Sequence, residues 1–344
     1  YSALTAFGLV PCGLAGVDVS RLLDEAEAIR PALESDTVEN PGLRLGALLG
    51  VANLAGVDKV VLADGGSAYA GFGDWAEQLV AESTGKDGKG ILPVVVPSRD
   101  APNFTPSSAD EVLVSYGPDE WPESLEPASG YRATVHATLG AQLLLWEYAT
   151  AVAGRLIGIN PFDQPDVESA KAAARDLLDS SGTSADPVFT DDGIDVFDLD
   201  GWLPEGVVSV NAAVGALLDH LDPEHGYLAV QAYLDRHRDA ALAGVRESLA
   251  VRTGRPTTFG WGPRFLHSTG QYHKGGPATG VYLQVTGDPV EDLEIPGRPF
   301  TFGGFIAAQA AGDGKVLADK GRPVLRLHLS DVAAGLARLL EVLA

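Results

Sequence analysis

Short apolar runs alternate with helical patterns along the first half of the chain. The runs are continuous, as expected of strands covered on both faces, and they lie at residues 59–64, 90–96 and 111–115. Apolar residues recur at helical spacing in residues 19–30, 75–82 and 139–158, and the first of these patterns ends near Pro31. Strands and helices that alternate in this order predict an α/β domain with a mainly parallel sheet.

A second α/β series follows a segment rich in Asp, Ser, Gly and Pro, between about residues 178 and 204. Such a composition is typical of a domain boundary, so we divide the chain into residues 1–180 and 181–344. The pattern of the second domain predicts strands at residues 226–234, 280–286 and 324–329. It predicts helices at residues 238–252, 305–320 and 331–343, the last with Asp331 as its N-cap.

The charge of the chain narrows the classes of partner. Its 47 Asp and Glu residues against 24 Lys and Arg residues give a formal net charge of −23, which repels nucleic acid and anionic membrane surfaces. A small anionic metabolite remains compatible, because local cations and backbone N–H groups can outweigh the overall field. The longest apolar stretch, residues 139–159, contains Glu147 and Arg155 and predicts a buried helix rather than a membrane span.

Cysteine usage indicates the compartment. Cys12 is the only cysteine in the sequence, so two cysteines of one chain cannot pair. Proteins without disulfides are typical of a reducing cytosol, and we therefore expect a cytoplasmic protein.

A carboxylate followed by a glycine turn occupies residues 78–86, which read Gln-Leu-Val-Ala-Glu-Ser-Thr-Gly-Lys. Glu82 lies near the end of a predicted helix, and Gly85 permits a backbone turn that is closed to other residues. Isomerising a sugar phosphate requires a carboxylate that moves a proton between two adjacent carbons, and Glu82 suits that role. The alternative is a solvated glutamate at a helix end.

A second polar segment, residues 160–171, reads Asn-Pro-Phe-Asp-Gln-Pro-Asp-Val-Glu-Ser-Ala-Lys. Asn160 or Asp163 can cap a helix that begins near Pro165, and Gln164 and Lys171 then lie about two turns apart along one face. An amide and an ammonium on one stripe suit a sugar phosphate. The alternative is a capped helix with a surface lysine.

A third segment, residues 265–277, is dense in hydrogen-bond donors and reads Phe-Leu-His-Ser-Thr-Gly-Gln-Tyr-His-Lys-Gly-Gly-Pro. Its glycines let the backbone approach a ligand, and an imidazole here could move the proton that opens a sugar ring. His267 and His273 also raise the alternative of a metal site, but no third ligand with familiar spacing accompanies them.

These segments together resemble the glucose-6-phosphate isomerase family. Residues 1–8 resemble the continuation of the family signature Gly-Gly-Arg-Tyr/Phe-Ser, the Glu-Ser-Thr-Gly-Lys run resembles the segment of the catalytic base, and residues 162–171 resemble the second signature. The resemblance implies a three-layer α/β sandwich of the sugar-isomerase (SIS) type with a mainly parallel sheet. It assigns residues 1–180 to a second SIS domain and residues 181–344 to a C-terminal α/β subdomain.

The resemblance also implies an activity and the residues that carry it. Glucose 6-phosphate and fructose 6-phosphate would interconvert through a cis-enediol intermediate, without a metal or a redox cofactor. Glu82 would be the base, Lys171 would assist ring opening and His267 would be the ring-opening histidine. The residues expected to contact the sugar phosphate are Gln164, Ser83, Gly85, Lys86 and Ser268.

One departure from the family concerns the order of the motifs. The histidine motif usually falls between the base and the second signature, whereas here it follows both, as in the isomerase part of bacterial transaldolase–glucose-6-phosphate isomerase fusions. His136 lies where the usual order would place a histidine, and it is the second choice for ring opening.

The start at Tyr1 leads us to expect a C-terminal fragment without the first SIS domain, with little activity on its own. We expect that missing domain and a second subunit, in a homodimer, as partners. Two alternatives stay open: an isomerase that acts on another sugar phosphate, and a non-catalytic domain that binds a sugar phosphate.

Overall fold

The computed structural model describes residues 1–166, 172–175, 178 and 186–344. The chain forms two compact units, Tyr1–Gln164 and Pro165–Ala344. This division comes earlier in the chain than the boundary that the composition indicated at 180/181, and most of residues 167–185 lie outside the described part.

The first unit contains a four-stranded parallel sheet in the order β2-β1-β3-β4. Its strands are β1 (Lys59–Asp64), β2 (Leu92–Val96), β3 (Glu111–Tyr116) and β4 (Arg132–Val135). Every residue of β3 is buried, and only the last residue of β1 is partly accessible. The continuous apolar runs of the sequence therefore mark strands whose two faces are both covered, as predicted.

Five helices accompany this sheet. They are α1 (Ala6–Leu14), α2 (Val19–Leu33), α3 (Pro41–Leu54), α4 (Phe72–Thr84) and α5 (Leu139–Ile157). The predicted end of α2 near Pro31 is slightly early, because the helix continues to Leu33. There the buried Asn40 amide donates to the Leu33 carbonyl at 2.7 Å and its oxygen accepts from Gly42 N–H at 2.9 Å, so one side chain ends α2 and begins α3.

The helices α3 and α5 approach closely because two glycines of α3 lack side chains. A Cβ at Gly46 would lie 2.6 Å from the Ala149 carbonyl oxygen, and one at Gly50 would lie 2.7 Å from a Leu156 methyl carbon. Trp146 of α5 is fully buried. The prediction that this stretch is a buried helix is thus confirmed, and among the described helices none has the length and apolarity that a membrane crossing requires.

The second unit contains a six-stranded mixed sheet in the order β5-β6-β10-β9-β7-β8. Its strands are β5 (Phe189–Asp191), β6 (Ile194–Asp198), β7 (Tyr227–Tyr233), β8 (Thr257–Trp261), β9 (Gly280–Gly287) and β10 (Val324–Leu329). Strands β10, β9, β7 and β8 are parallel, whereas β6 pairs antiparallel with both β10 and β5. The mainly parallel α/β architecture is confirmed, and the hairpin β5–β6 and strand β8 are additions that the pattern did not predict.

In residues 186–344 the α-helices are α6 (Val210–Asp219), α7 (Val245–Thr253), α8 (Thr269–Gly275), α9 (Phe302–Asp319) and α10 (Val332–Leu343). The side chain of Asp331 accepts from Ala334 N–H at 3.1 Å, which confirms the predicted N-cap of α10. The helix predicted at residues 238–252 is divided, because a 3₁₀ turn at Ala240–Gly244 precedes α7.

Candidate active site

A cleft of about 910 Å³ lies within the first unit, along one face of α4. The α4 residues that line it share helical spacing, and they are Phe72, Trp75, Gln78, Leu79, Glu82 and Ser83. The next positions around the helix, such as Ala76, Val80 and Thr84, are buried. The amphipathic pattern of α4 therefore fixes Glu82 on the side that faces the cleft.

The cleft combines a polar wall with an apolar one. Glu82, Ser83 and Gln164 contribute to the polar wall although Gln164 is far from the other two in the sequence. Aromatic and aliphatic side chains supply much of the remainder, among them Phe7, Leu22, Tyr69, Leu139 and Phe162. Three of the residues that the sequence predicted to act together thus share one cavity of a size suited to a small molecule.

Tyr1 closes the polar wall beside Ser83. Burial raises the pKa of the Tyr1 phenol to about 12, the nearby Ser83 hydroxyl acts in the opposite direction, and the negative charge of Glu147 adds to the increase. The phenol is therefore neutral at physiological pH and can donate a hydrogen bond. Its ring packs against Phe162 with 4.7 Å between the ring centroids.

The turn after α4 carries Gly85 and Lys86 away from the cleft. Asp87 and Gly88 both have positive φ, and Lys86 and Lys89 exchange backbone hydrogen bonds of 3.1 and 3.0 Å, which is the geometry of a two-residue type I′ turn. The Lys86 side chain is only 2% exposed. Neither Gly85 nor Lys86 is among the described residues that line the cleft, so the geometry lends no support to their predicted contact with substrate.

The Lys86 ammonium instead bonds to the turn that follows α5. It donates to the Asn160 carbonyl at 2.8 Å, to the Asp163 carboxylate at 2.9 Å and to the Asp163 carbonyl. Asn160 in turn accepts from Phe162 N–H at 3.1 Å and donates to Asp163 at 3.0 Å. The side chains of Asn160 and Asp163 thus stabilise this turn. Lys171 lies outside the described part of the chain, as do residues 167–170 of the predicted helix.

The predicted histidine motif belongs to the second unit, where its side chains have different environments. His267 is exposed and follows a 3₁₀ turn, Arg264–Leu266. Ser268 is fully buried, with its hydroxyl 3.5 Å from the Arg264 carbonyl. Its side chain therefore presents no accessible surface for the predicted contact with substrate. His136, the second choice, is exposed directly after β4 in the first unit.

Sequence reasoning missed several residues of the cleft. Tyr1, Trp75 and Phe162 all line it, but an aromatic side chain in a sequence is equally consistent with a core position. The helical spacing from Trp75 to Gln78 and Glu82 was the available signal. In the part of the chain that the structure describes, no group of three or more His, Cys, Asp and Glu side chains could hold a metal ion.

Comparison with known proteins gives sequence relatives but no matching family model. The chain is 28% identical over 235 residues to a glucose-6-phosphate isomerase of Streptococcus pyogenes serotype M5 (strain Manfredo), covering 54% of this chain and 52% of that protein. It is 28% identical over 232 residues to that of serotype M4 (strain MGAS10750), covering 53% and 51%. The chain therefore spans about half the length of the curated relatives it matches.

Two solved structures are similar at low TM-scores. A hypothetical protein from Thermus thermophilus has a TM-score of 0.34 and 14% identity, with 98% of this chain and 88% of that chain covered. A glucose-6-phosphate isomerase from Chlamydia trachomatis has a TM-score of 0.31 and 13% identity, with 89% and 67% covered. The sequence relatives and the motifs around the cleft together support an assignment to the glucose-6-phosphate isomerase family.

Proposed function

We propose that this chain carries the proton-transfer site of a glucose-6-phosphate isomerase, which interconverts glucose 6-phosphate and fructose 6-phosphate. The observation that supports it most is the shared cleft of Glu82, Ser83 and Gln164, which come from two distant segments of the sequence. A carboxylate beside neutral hydrogen-bond donors is the set of groups that aldose–ketose isomerisation requires.

In the proposed reaction Glu82 removes the proton from C2 of the open-chain aldose and returns it to C1. Negative charge then develops on the two neighbouring substrate oxygens, and donors fixed beside them lower the barrier. Ser83 and Gln164 are among the hydrogen-bond donors that line the cleft. In this proposal Lys171 and His267 assist the opening of the sugar ring. The proposed partners are a first SIS domain and a second subunit.

Deuterium incorporation tests the role of Glu82 directly. Fructose 6-phosphate is incubated with the protein in D₂O, and loss of the C1 proton signal is followed by NMR. We expect Glu82→Gln to slow this exchange by at least about 100-fold, because removal of a general base costs about 10²- to 10⁴-fold. Asp87→Asn is the matched control, since Asp87 is an exposed carboxylate close in sequence whose positive φ suits asparagine.

The same experiment separates the enzyme from a domain that only binds a sugar phosphate. That second function is the alternative to catalysis, and the same cleft with Glu82, Ser83 and Gln164 would serve it. Exchange that is equally slow in Glu82→Gln and the unsubstituted chain, with binding of fructose 6-phosphate intact in calorimetry, would support the binding domain. An exchange rate that is substantial and unchanged by Glu82→Gln would refute Glu82 as the base.

A further inference from the structure

Lys86 uses all of its hydrogen-bonding capacity on one short turn. A lysine ammonium has three N–H donors, and three acceptors surround this one: the carbonyls of Asn160 and Asp163 and the Asp163 carboxylate. The 2% exposure of the side chain leaves little access for a ligand. The ammonium of the lysine at the end of the Glu-Ser-Thr-Gly-Lys run therefore makes its hydrogen bonds within the protein.

The turn that Lys86 holds forms part of the cleft wall. Pro161, Phe162 and Gln164 all line the cavity that contains Glu82, and the Phe162 ring packs against Tyr1. Asn160 and Phe162 are otherwise exposed, so burial against a core does not fix this segment. The buried ammonium of Lys86 bonds to it directly.

A second lysine of the same type I′ turn provides a contrast. Lys89 donates to the Ile157 carbonyl at 3.2 Å, at the end of α5, and its side chain is exposed. Lys89 thus bonds to the end of α5, which precedes residues 160–164. Among the hydrogen bonds of the described residues, it makes none to residues 160–164 themselves. Substituting Lys86 and Lys89 in turn therefore distinguishes an effect on the cleft wall from an effect on the end of α5.

We propose that Lys86 is a positioning residue, whose ammonium holds residues 160–163 so that Phe162 and Gln164 form one wall of the Glu82 cleft. It acts through Gln164 and not by touching the substrate. The two halves of the site are thereby coupled: the segment that supplies the base also fixes the segment that binds the sugar phosphate. The inference rests on the proposed function for the identity of the ligand.

The test compares Lys86→Met with Lys89→Met in the full 344-residue chain. Methionine keeps most of the length and the apolar stem of lysine while it removes the three donors. We expect amide hydrogen exchange within residues 160–166 to accelerate at least about tenfold in Lys86→Met and to change less than about twofold in Lys89→Met, because charge-assisted hydrogen bonds hold the turn closed.

Ligand measurements then distinguish positioning from a general loss of stability. We expect Lys86→Met to raise the KM and the Kd for fructose 6-phosphate about tenfold, while the rate of C1 proton exchange at saturation stays within about threefold, since Glu82 is untouched. A partly unfolded enzyme would lose rate at saturation and keep its KM. In a Gln164→Ala background, Lys86→Met should add less than about twofold, because its effect passes through that residue.

Should Lys86→Met fail to fold, Asn160→Ala is the second variant, because Asn160 is exposed and supports the same turn from the other side. Unchanged exchange in residues 160–166 overturns the proposal, and so does faster exchange with an unaltered Kd. If the unsubstituted chain binds no fructose 6-phosphate, the proposed function fails, and the hydrogen-exchange comparison alone decides whether Lys86 holds the turn.

Discussion

Two motifs of similar composition have opposite surroundings in the two units. Residues 82–86 of the first unit place Glu82 and Ser83 on the wall of a cleft. Residues 268–274 of the second unit are rich in the same kinds of polar side chain, yet Ser268, Gln271, His273 and Lys274 are all almost fully buried. The first motif thus presents two polar side chains to a cavity, whereas these four side chains of the second are enclosed by the protein.

The difference lies in what satisfies the polar groups. Lys274 donates to the Phe265 carbonyl at 2.9 Å and forms an ion pair with Asp313, and both side chains of that pair are fully buried. Burial also lowers the pKa of His273 well below its usual value, with the charges of Lys274 and Arg322 adding to the decrease, so this imidazole is neutral. A run of donors in a sequence therefore indicates a ligand site only where the fold leaves the donors accessible.

The largest expected effect tests whether the second motif is structural. Lys274→Met removes the cation opposite the Asp313 carboxylate, whose pKa burial already raises against the opposing effect of Lys274. Breaking one side of a buried ion pair costs about 3–5 kcal/mol, because the remaining charge is left uncompensated. We expect the free energy of unfolding of the Pro165–Ala344 unit to fall by that amount, measured by urea denaturation followed by circular dichroism.

The double variant Lys274→Met/Asp313→Leu is the control for this prediction. Replacing both ions with apolar side chains of similar size removes the uncompensated charge, and such replacements are often close to neutral. We therefore expect the double variant to recover most of the loss. A single variant that loses less than about 1 kcal/mol would show that the pair is not a determinant of the second unit.

The sequence predicted the sheets better than the site. Lys59–Asp64 matches its apolar run because a strand covered on both faces is mostly apolar, and Val324–Leu329 matches a predicted strand in which Arg326 and His328 alternate with apolar residues. Glu82 was singled out by the Glu-Ser-Thr-Gly-Lys run at the end of a predicted helix, and the structure places it on the wall of a cleft. Lys86 was assigned to the substrate, since a sequence does not show that its acceptors, in the distant turn after α5, converge on its ammonium.

A smaller effect is expected from Gln271, which occupies the second motif beside Lys274. Its buried amide donates to the Asp166 carboxylate at 2.9 Å and accepts from Asp166 N–H at 3.0 Å. Gln271→Leu leaves that N–H without this acceptor, at a cost of about 1–3 kcal/mol of unfolding free energy. Binding of fructose 6-phosphate in the first unit should stay within about twofold.

Lys320→Met is the matched control, because Lys320 bonds to the same carboxylate at 2.6 Å with a side chain that is 36% exposed. Exposed ion pairs contribute about 1 kcal/mol or less, so this variant should lose clearly less stability than Gln271→Leu. A large decrease in sugar-phosphate binding on Gln271→Leu, without loss of stability, would instead make the second motif a ligand site.

The smallest expected effect concerns the pH dependence of the turn that Lys86 holds. The hydrogen bond from Lys86 and then its charge hold the pKa of Asp163 below the usual range, and Asn160 adds to the decrease. Because the pKa is lower in the folded chain, the resulting stability is complete above the unfolded value of about 4 and is lost as the pH falls through the folded value. The side chain is 53% exposed, so solvent screening keeps the contribution small. Asp163→Asn should therefore reduce stability slightly at about pH 6 and not at about pH 2, and an equal difference at both pH values would contradict an ionic role for Asp163.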